Sequence, residues 1–250
     1  MILAIDAGNS RVKWGWHDGQ GWTSVASVSL IEFAASSDHV NPFSVTHADP
    51  ERIVISNVAG EGAHHLLVNW TSIFDAEPLW LRAEAERCGV HNRYERPEQL
   101  GPDRWAALIA ARALHASGPA LVVNAGTATT VDMLSGDGSF LGGCILPGVE
   151  LMRFVLHEHT GRLPMSEGAY RDAPRNTLDA IETGCRHAQA GAVERIYRVF
   201  RDLELNPLCI VSGGAGRVLV DQLGMPRRYV ENLVLDGLAH IASAQRTALK

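Results

Sequence analysis

Strand and helix signals alternate along this chain, and the alternation predicts an α/β fold. Three observations carry it. Short apolar runs end at Asp6 and at Asn124, an amphipathic helical pattern lies between them, and the segment Ile5-Asp6-Ala7-Gly8-Asn9-Ser10 is echoed by Val123-Asn124-Ala125-Gly126-Thr127-Ala128. Self-similarity of this kind predicts a duplicated architecture. The expected lobes are residues 1–117 and 118–250, divided at Ser117-Gly118-Pro119.

The elements follow in order. MILAI reads as a buried strand, RVKWGWHDG as a second strand closing on a turn pair, and Arg52–Ser56 (RIVIS) as a third. Between Asp103 and Ala116, Trp105, Leu108, Ile109 and Leu114 recur at helical spacing, and the Gly-Pro beyond stops the helix. The second half opens with LVV and NAGTATTVDML, turns at SGDGS, continues as the strand FLGGCIL, and starts a helix at Pro147-Gly148 that runs to about Glu158. A polar, proline-containing loop spans Thr160 to Arg175. Two helices are expected next, near Leu178–Ala190 and Ala192–Leu203, then the strand LCIVS, the glycine cluster Gly213-Gly214-Ala215-Gly216 and a C-terminal helix.

At 250 residues and 27.1 kDa, 46% hydrophobic and 20% charged, the chain has enough material for two small cores. A formal charge of −6 provides no basic field for nucleic acid, and none is expected as a partner. Cys88, Cys144, Cys185 and Cys209 have no metal-like spacing, which favours free thiols in a reduced compartment. Asp6 interrupts the first apolar run, which is unlike a signal-peptide core, and no run approaches the ~18 residues of a membrane span. The expectation is a cytoplasmic protein without a membrane partner.

Neither GxxxxGK[ST] nor GxGxxG occurs in a strand-to-helix setting, so a bound nucleotide needs another cradle. Two strand-turn-strand clamps, one per half, and a glycine cluster on the adenosine side resemble the sugar kinase, actin and Hsp70 superfamily, in which two duplicated ribonuclease H-like lobes hold nucleotide in a cleft. The motifs are narrower still. DAGNSRVK, Gly101-Pro102-Asp103-Arg104, NAGTATTVD, Tyr94 ahead of Gly101, the Gly142–Gly148 segment, and Asn176-Thr177 with Ala180-Ile181 and Gly184 resemble, in order, the motifs of type III pantothenate kinases. The resemblance implies ATP-dependent phosphorylation of pantothenate to 4'-phosphopantothenate, the first step of coenzyme A synthesis, by a homodimer. It implies ATP binding by Asp6, Ala7, Gly8, Asn9, Ser10, Arg11, Val12, Lys13 and Thr127. It implies substrate binding by Tyr94, Gly101, Pro102, Asp103, Arg104 and Thr177.

Each residue has a chemical case and a plainer one. Asp6 at a strand end can hold magnesium, directly or through water, because hard cations take oxygen ligands; otherwise it bonds its own turn. Gly8, Asn9, Ser10 and Thr127 offer donors to phosphate and Lys13 offers charge, though Lys13 also suits a solvated strand. Asp103 is the candidate catalytic base for a primary alcohol; an aspartate opening a helix is equally a cap. Arg104 presents a planar fork to a carboxylate or phosphoryl group, or else pairs with an acid such as Glu98. Asn124 stands where the family has an aspartate that helps to hold potassium or ammonium; the amide lacks that charge and argues against strong cation dependence. His157-Glu158-His159 lacks the spacing of HExxH and reads as a helix end, His64-His65 as surface, and the tryptophans as core or interface. Other readings are a non-catalytic accessory protein of the same fold and a kinase for another small alcohol.

Overall fold

The computed structural model describes residues 1–35, 49–165 and 167–248. The chain divides into two compact units, Met1–Leu114 with Asn232–Lys250, and His115–Glu231.

The first unit contains strands β1 (Ile2–Ala7), β2 (Arg11–His17), β3 (Trp22–Ser29), β4 (Arg52–Asn57) and β5 (Pro78–Trp80), in the order β3-β2-β1-β4-β5. It also holds helices α1 (Leu30–Ala35), α2 (Glu61–Thr71) and α3 (Pro102–Leu114), and the short strands β6 (Glu86–Arg87) and β7 (Val90–Asn92). β1 pairs antiparallel with β2 and parallel with β4. Successive strand side chains face opposite sides. Leu3, Ile5 and Ala7 therefore enter a core with Phe33 of α1 and with Leu67 and Trp70 of α2, while Ala4 and Asp6 face the other way.

The second unit repeats this plan. Its strands β8 (Ala120–Ala125), β9 (Ala128–Leu134), β10 (Ser139–Pro147), β11 (Leu208–Ser212) and β12 (Arg227–Tyr229) lie in the order β12-β11-β8-β9-β10. β8 pairs antiparallel with β9 and parallel with β11. Helices α4 (Val149–His159), α5 (Thr177–Arg201) and α6 (Gly216–Val220) complete it. Leu121, Val123 and Ala125 pack on Val193, Tyr197 and Phe200 of α5. The strand order, pairing directions and turn positions of the two sheets correspond, as the sequence echo implies.

Two expectations are corrected. The two helices expected on either side of Gly191 are one, α5. A single helical glycine costs only ~1 kcal/mol against alanine, and the buried face of Gln189, Val193, Tyr197 and Phe200 offsets it. The C-terminal helix α7 (Leu233–Ala248), assigned by sequence order to residues 118–250, belongs to the first unit and packs on α3, β1 and β4. Gly237 permits this, since a Cβ there would strike the Ala106 carbonyl. The tryptophans at 14, 16, 70 and 105 are buried. No helix among the described residues is long and apolar enough to cross a membrane.

Candidate active site

The first hairpin turn is closed by the Gly8 amide donating to the Arg11 carbonyl at 2.9 Å, and Val58 N–H donates to Ala7 O at 2.9 Å. Asn9, Ser10 and Arg11 are exposed at the turn, Ala7 and Val12 are buried, and Arg11 donates to Ser27 Oγ at 3.0 Å. Asp6 is the register partner of Lys13 on β2 and of Ser56 on β4, so three polar side chains form a row across the sheet. Asp6 Oδ1 and Ser56 Oγ are buried and neither makes a hydrogen bond of full geometry, although the neighbouring Ser56 hydroxyl still favours the ionised Asp6. A buried carboxylate oxygen left this way is costly unless something else meets it.

Asp6 lies on the sheet face opposite α2, the face covered by α7, and α7 packs against α3. Asp103 sits in the first turn of α3 and is the like charge that acts on Asp6. Burial first, and the Asp103 charge second, push the Asp6 carboxyl up to about 7; Ser56 and Lys13 pull more weakly in the other direction. Burial also raises Asp103, opposed by the Arg104 amide, which donates to Asp103 Oδ1 at 2.8 Å, and by the Arg104 charge. Gly101 leaves space for this carboxylate: a Cβ there would lie 2.6 Å from Asp103 Oδ1. Pro102 opens the helix, and the Trp105 amide returns to Gly101 O at 2.9 Å. Arg104 is buried, with its guanidinium 5.7 Å from the Tyr94 ring centroid. Glu98, the acid that the alternative reading pairs with Arg104, accepts from Arg96 Nε at 2.8 Å. Asp6, Lys13, Tyr94 and the Gly101–Arg104 segment thus all belong to the first unit.

In the second unit three glycine-bearing segments meet. Gly126 N–H donates to Ala128 O at 3.0 Å, Gly148 N–H donates to Thr127 O at 2.8 Å, and Ala215 N–H donates to Ala125 O at 3.0 Å. Gly148 can approach only because it has no Cβ, which would collide with Gly126 O. Gly213, at φ +92°, likewise leaves no room for a side chain beside Ala125 O, and the Cβ would be 2.7 Å from Asn124 Oδ1. Thr127 is exposed at this turn, and Asn124 is half-buried beside it. Thr177 is the exposed first residue of α5, after the Asn176 side chain caps Asp179 N–H at 2.9 Å.

Sequence reasoning missed a cavity of about 260 Å³ in this unit, lined by α4, α5 and α6 and by Gly214 and Ala215. Glu182, Arg186 and Gln189 share one face of α5 at helical spacing. Glu182 is buried and accepts from Arg153 at 3.0 Å and from Arg186 at 2.6 Å. The i, i+4 pair was visible in the chain, but its burial was not. His157-Glu158-His159 ends α4, where His157 Nδ1 lies 2.8 Å from Leu163 O. His64 stacks at 4.1 Å on Trp80.

Duplicated sheets, each with a glycine turn after its first strand, define the class: the sugar kinase, actin and Hsp70 superfamily fold. Inorganic polyphosphate/ATP-glucomannokinase from Arthrobacter sp. strain KM superposes with a TM-score of 0.51 at 15% identity, covering 98% of each chain. A structure from Campylobacter jejuni, assigned to the Baf family of transcriptional activators, gives 0.62 at 22% identity over 98% of this chain and 99% of that one. Residues 2–199 match the family model of type III pantothenate kinase. The type III pantothenate kinase of Aromatoleum aromaticum is 50% identical, covering 99% of this chain and all of the relative. The chain belongs to the type III pantothenate kinase family.

Proposed function

We propose that this protein transfers the γ-phosphoryl group of ATP to the primary hydroxyl of pantothenate, forming 4'-phosphopantothenate for coenzyme A biosynthesis. The observation that carries the reading is the two half-buried carboxylates of the first unit, Asp6 and Asp103, whose charges act on each other, in a chain of this family. Asp103 accepts the hydroxyl proton as the acceptor oxygen bonds to the γ-phosphorus and the bond to the ADP oxygen breaks. Its raised pKa makes it a stronger base than an exposed aspartate. Arg104, held beneath Tyr94, offers its fork to the acceptor carboxylate, and Gly101 and Pro102 shape the turn under it.

The unpartnered Asp6 Oδ1 fits magnesium, directly or through water, and the metal when bound neutralises phosphate charge. Ala7 to Lys13 supply the first phosphate turn, and Thr127 the hydroxyl of the second. The cavity in the second unit, bounded by the glycine cluster, is the expected seat of the nucleoside. Asn124 gives a monovalent cation no carboxylate. A homodimer in the cytoplasm completes the reading, with Thr177 serving the acceptor. Exposed Ile145, Phe154 and Val155 on β10 and α4 supply apolar surface for such an association.

The test is purified protein with magnesium-ATP and a panel of small alcohols, scored by mass for phosphorylated product. Phosphopantothenate is expected. Transfer to a different alcohol alone would overturn the acceptor, and no transfer to any would favour the accessory-protein reading.

A further inference from the structure

The base of the second hairpin contains a polar pair that its counterpart in the first hairpin lacks. Gln189 Nε2 donates to Thr129 Oγ1 at 2.6 Å, and both residues are at most 1% exposed. Thr129 is the register partner of Ala125. Ala125 carries the carbonyl that receives Ala215 N–H, and it precedes the Gly126-Thr127 turn. In the first hairpin the residue opposite Ala7 is Val12, buried in an apolar core with no such bond. Valine at this place in the fold therefore satisfies packing, and a buried amide–hydroxyl pair is not required to close the sheet. Gln189 also lines the cavity, with Gly214 and Ala215 on its wall. One side chain thus touches both the cavity and the strand that carries the turn.

We infer that Gln189 is a positioning residue: it ties the cavity wall to the second phosphate turn through Thr129, so that nucleoside seating and turn geometry depend on one hydrogen bond. The inference rests on the reading of this cavity as the nucleoside seat. Deleting either partner leaves the other buried and unsatisfied, which loosens the hairpin one residue from Gly126. The effect is expected on ATP rather than on the acceptor, because Asp103, Arg104 and Tyr94 lie in the other unit, and Thr177, the acceptor residue on α5, opens that helix about three turns before Gln189.

The experiment measures KM for ATP, KM for pantothenate, kcat and melting temperature for Gln189→Met, Thr129→Val, the double variant and Thr129→Ser. Val218→Trp, which narrows the cavity from α6 and leaves both members of the pair unsubstituted, is measured beside them. The expected result is a rise of about three- to tenfold in KM for ATP in each single variant, the scale of one net hydrogen bond, with KM for pantothenate unchanged. The double variant should be no worse than either single one, and Thr129→Ser should recover most of the loss seen in Thr129→Val. If Val218→Trp raises KM for ATP while the pair variants shift only melting temperature, the pair is structural and the inference fails although the cavity reading stands. If Val218→Trp and the pair variants all leave KM for ATP unchanged, the cavity reading fails and the inference falls with it.

Discussion

The two hairpins share a fold and differ in charge. In the first, Asp6 sits between Lys13 and Ser56; at the corresponding places of the second are Asn124, Thr130 and Ser212. After the first pair of strands, β4 ends in Asn57, whose side-chain oxygen accepts from Ala59 N–H at 2.9 Å, whereas β11 runs into Gly213 at positive φ. One copy has thus kept ionisable side chains over the sheet and a polar side chain at the strand end. The other has only neutral groups and a bare backbone at the same places. The two copies share strand order and pairing direction, which the fold needs, and differ in the length and chemistry of their turns.

The largest effect is expected from removing the charge that acts beside Asp6. Asp103→Asn keeps shape and cannot accept the proton, so turnover should fall by ~10²–10⁴ while ADP binding, read by calorimetry, persists. Near-normal turnover in a variant verified by mass would leave Asp103 a helix-opening residue only.

Next in size is the bare strand end of the second hairpin. Gly213→Ala places a Cβ against Ala125 O in a left-handed conformation and should cost about 1–3 kcal/mol, lowering nucleotide affinity as the turn shifts. Asn57→Ala, at the corresponding position of the first hairpin, introduces no clash, and its cost should be smaller. Equal losses in denaturant titrations would show that the two strand ends are interchangeable.

A third test uses pH. The Asp6 carboxyl is raised to about 7 in the fold, so the folded state holds its proton where the unfolded state has released it. Stability from this group is present at low pH, declines as pH rises from about 4 toward 7, and is gone above that. Without magnesium, Asp6→Asn should change the melting temperature little at pH 4 and raise it at pH 8, by roughly 2–4 °C for each kcal/mol recovered. A matching gain at both pH values would mean that charge burial is not the cause. Asn124→Asp tests the other copy and should introduce a pH dependence at a place where the natural hairpin has only neutral groups.

The smallest expected effect concerns the monovalent cation. With Asn124 neutral, potassium or ammonium added at constant ionic strength should raise turnover less than ~tenfold, the equivalent of ~1.4 kcal/mol of coupling. Asn124→Asp should respond more strongly. Strong activation of the natural chain would show that other oxygens hold the ion.

Much of this was legible in the chain. β1, β2, β4, β8 and β11 were visible as apolar runs, and α3 as a period with a Gly-Pro stop, because each signal lies within one element. The weak strands β5, β6, β7 and β12 were not, since two or three residues carry no period. A glycine signals a break locally, which splits α5 in two on sequence grounds, and only packing along its buried face makes it one helix. The Glu182–Arg186 spacing could be read, but not that Arg153 would arrive from α4 to make the carboxylate a buried ion pair.

By itself the sequence determined the duplicated hairpins, the turn chemistry and the family, since these depend on residues adjacent in the chain and on motifs in order. Only the tertiary structure decided that Asp6 and Asp103 would share one side of a sheet, that α7 would return to the first unit, and that Gln189 would reach Thr129. The reason is physical: a carboxylate's proton affinity and a buried amide's partner depend on what surrounds them in space, and those surroundings come from segments distant in the chain.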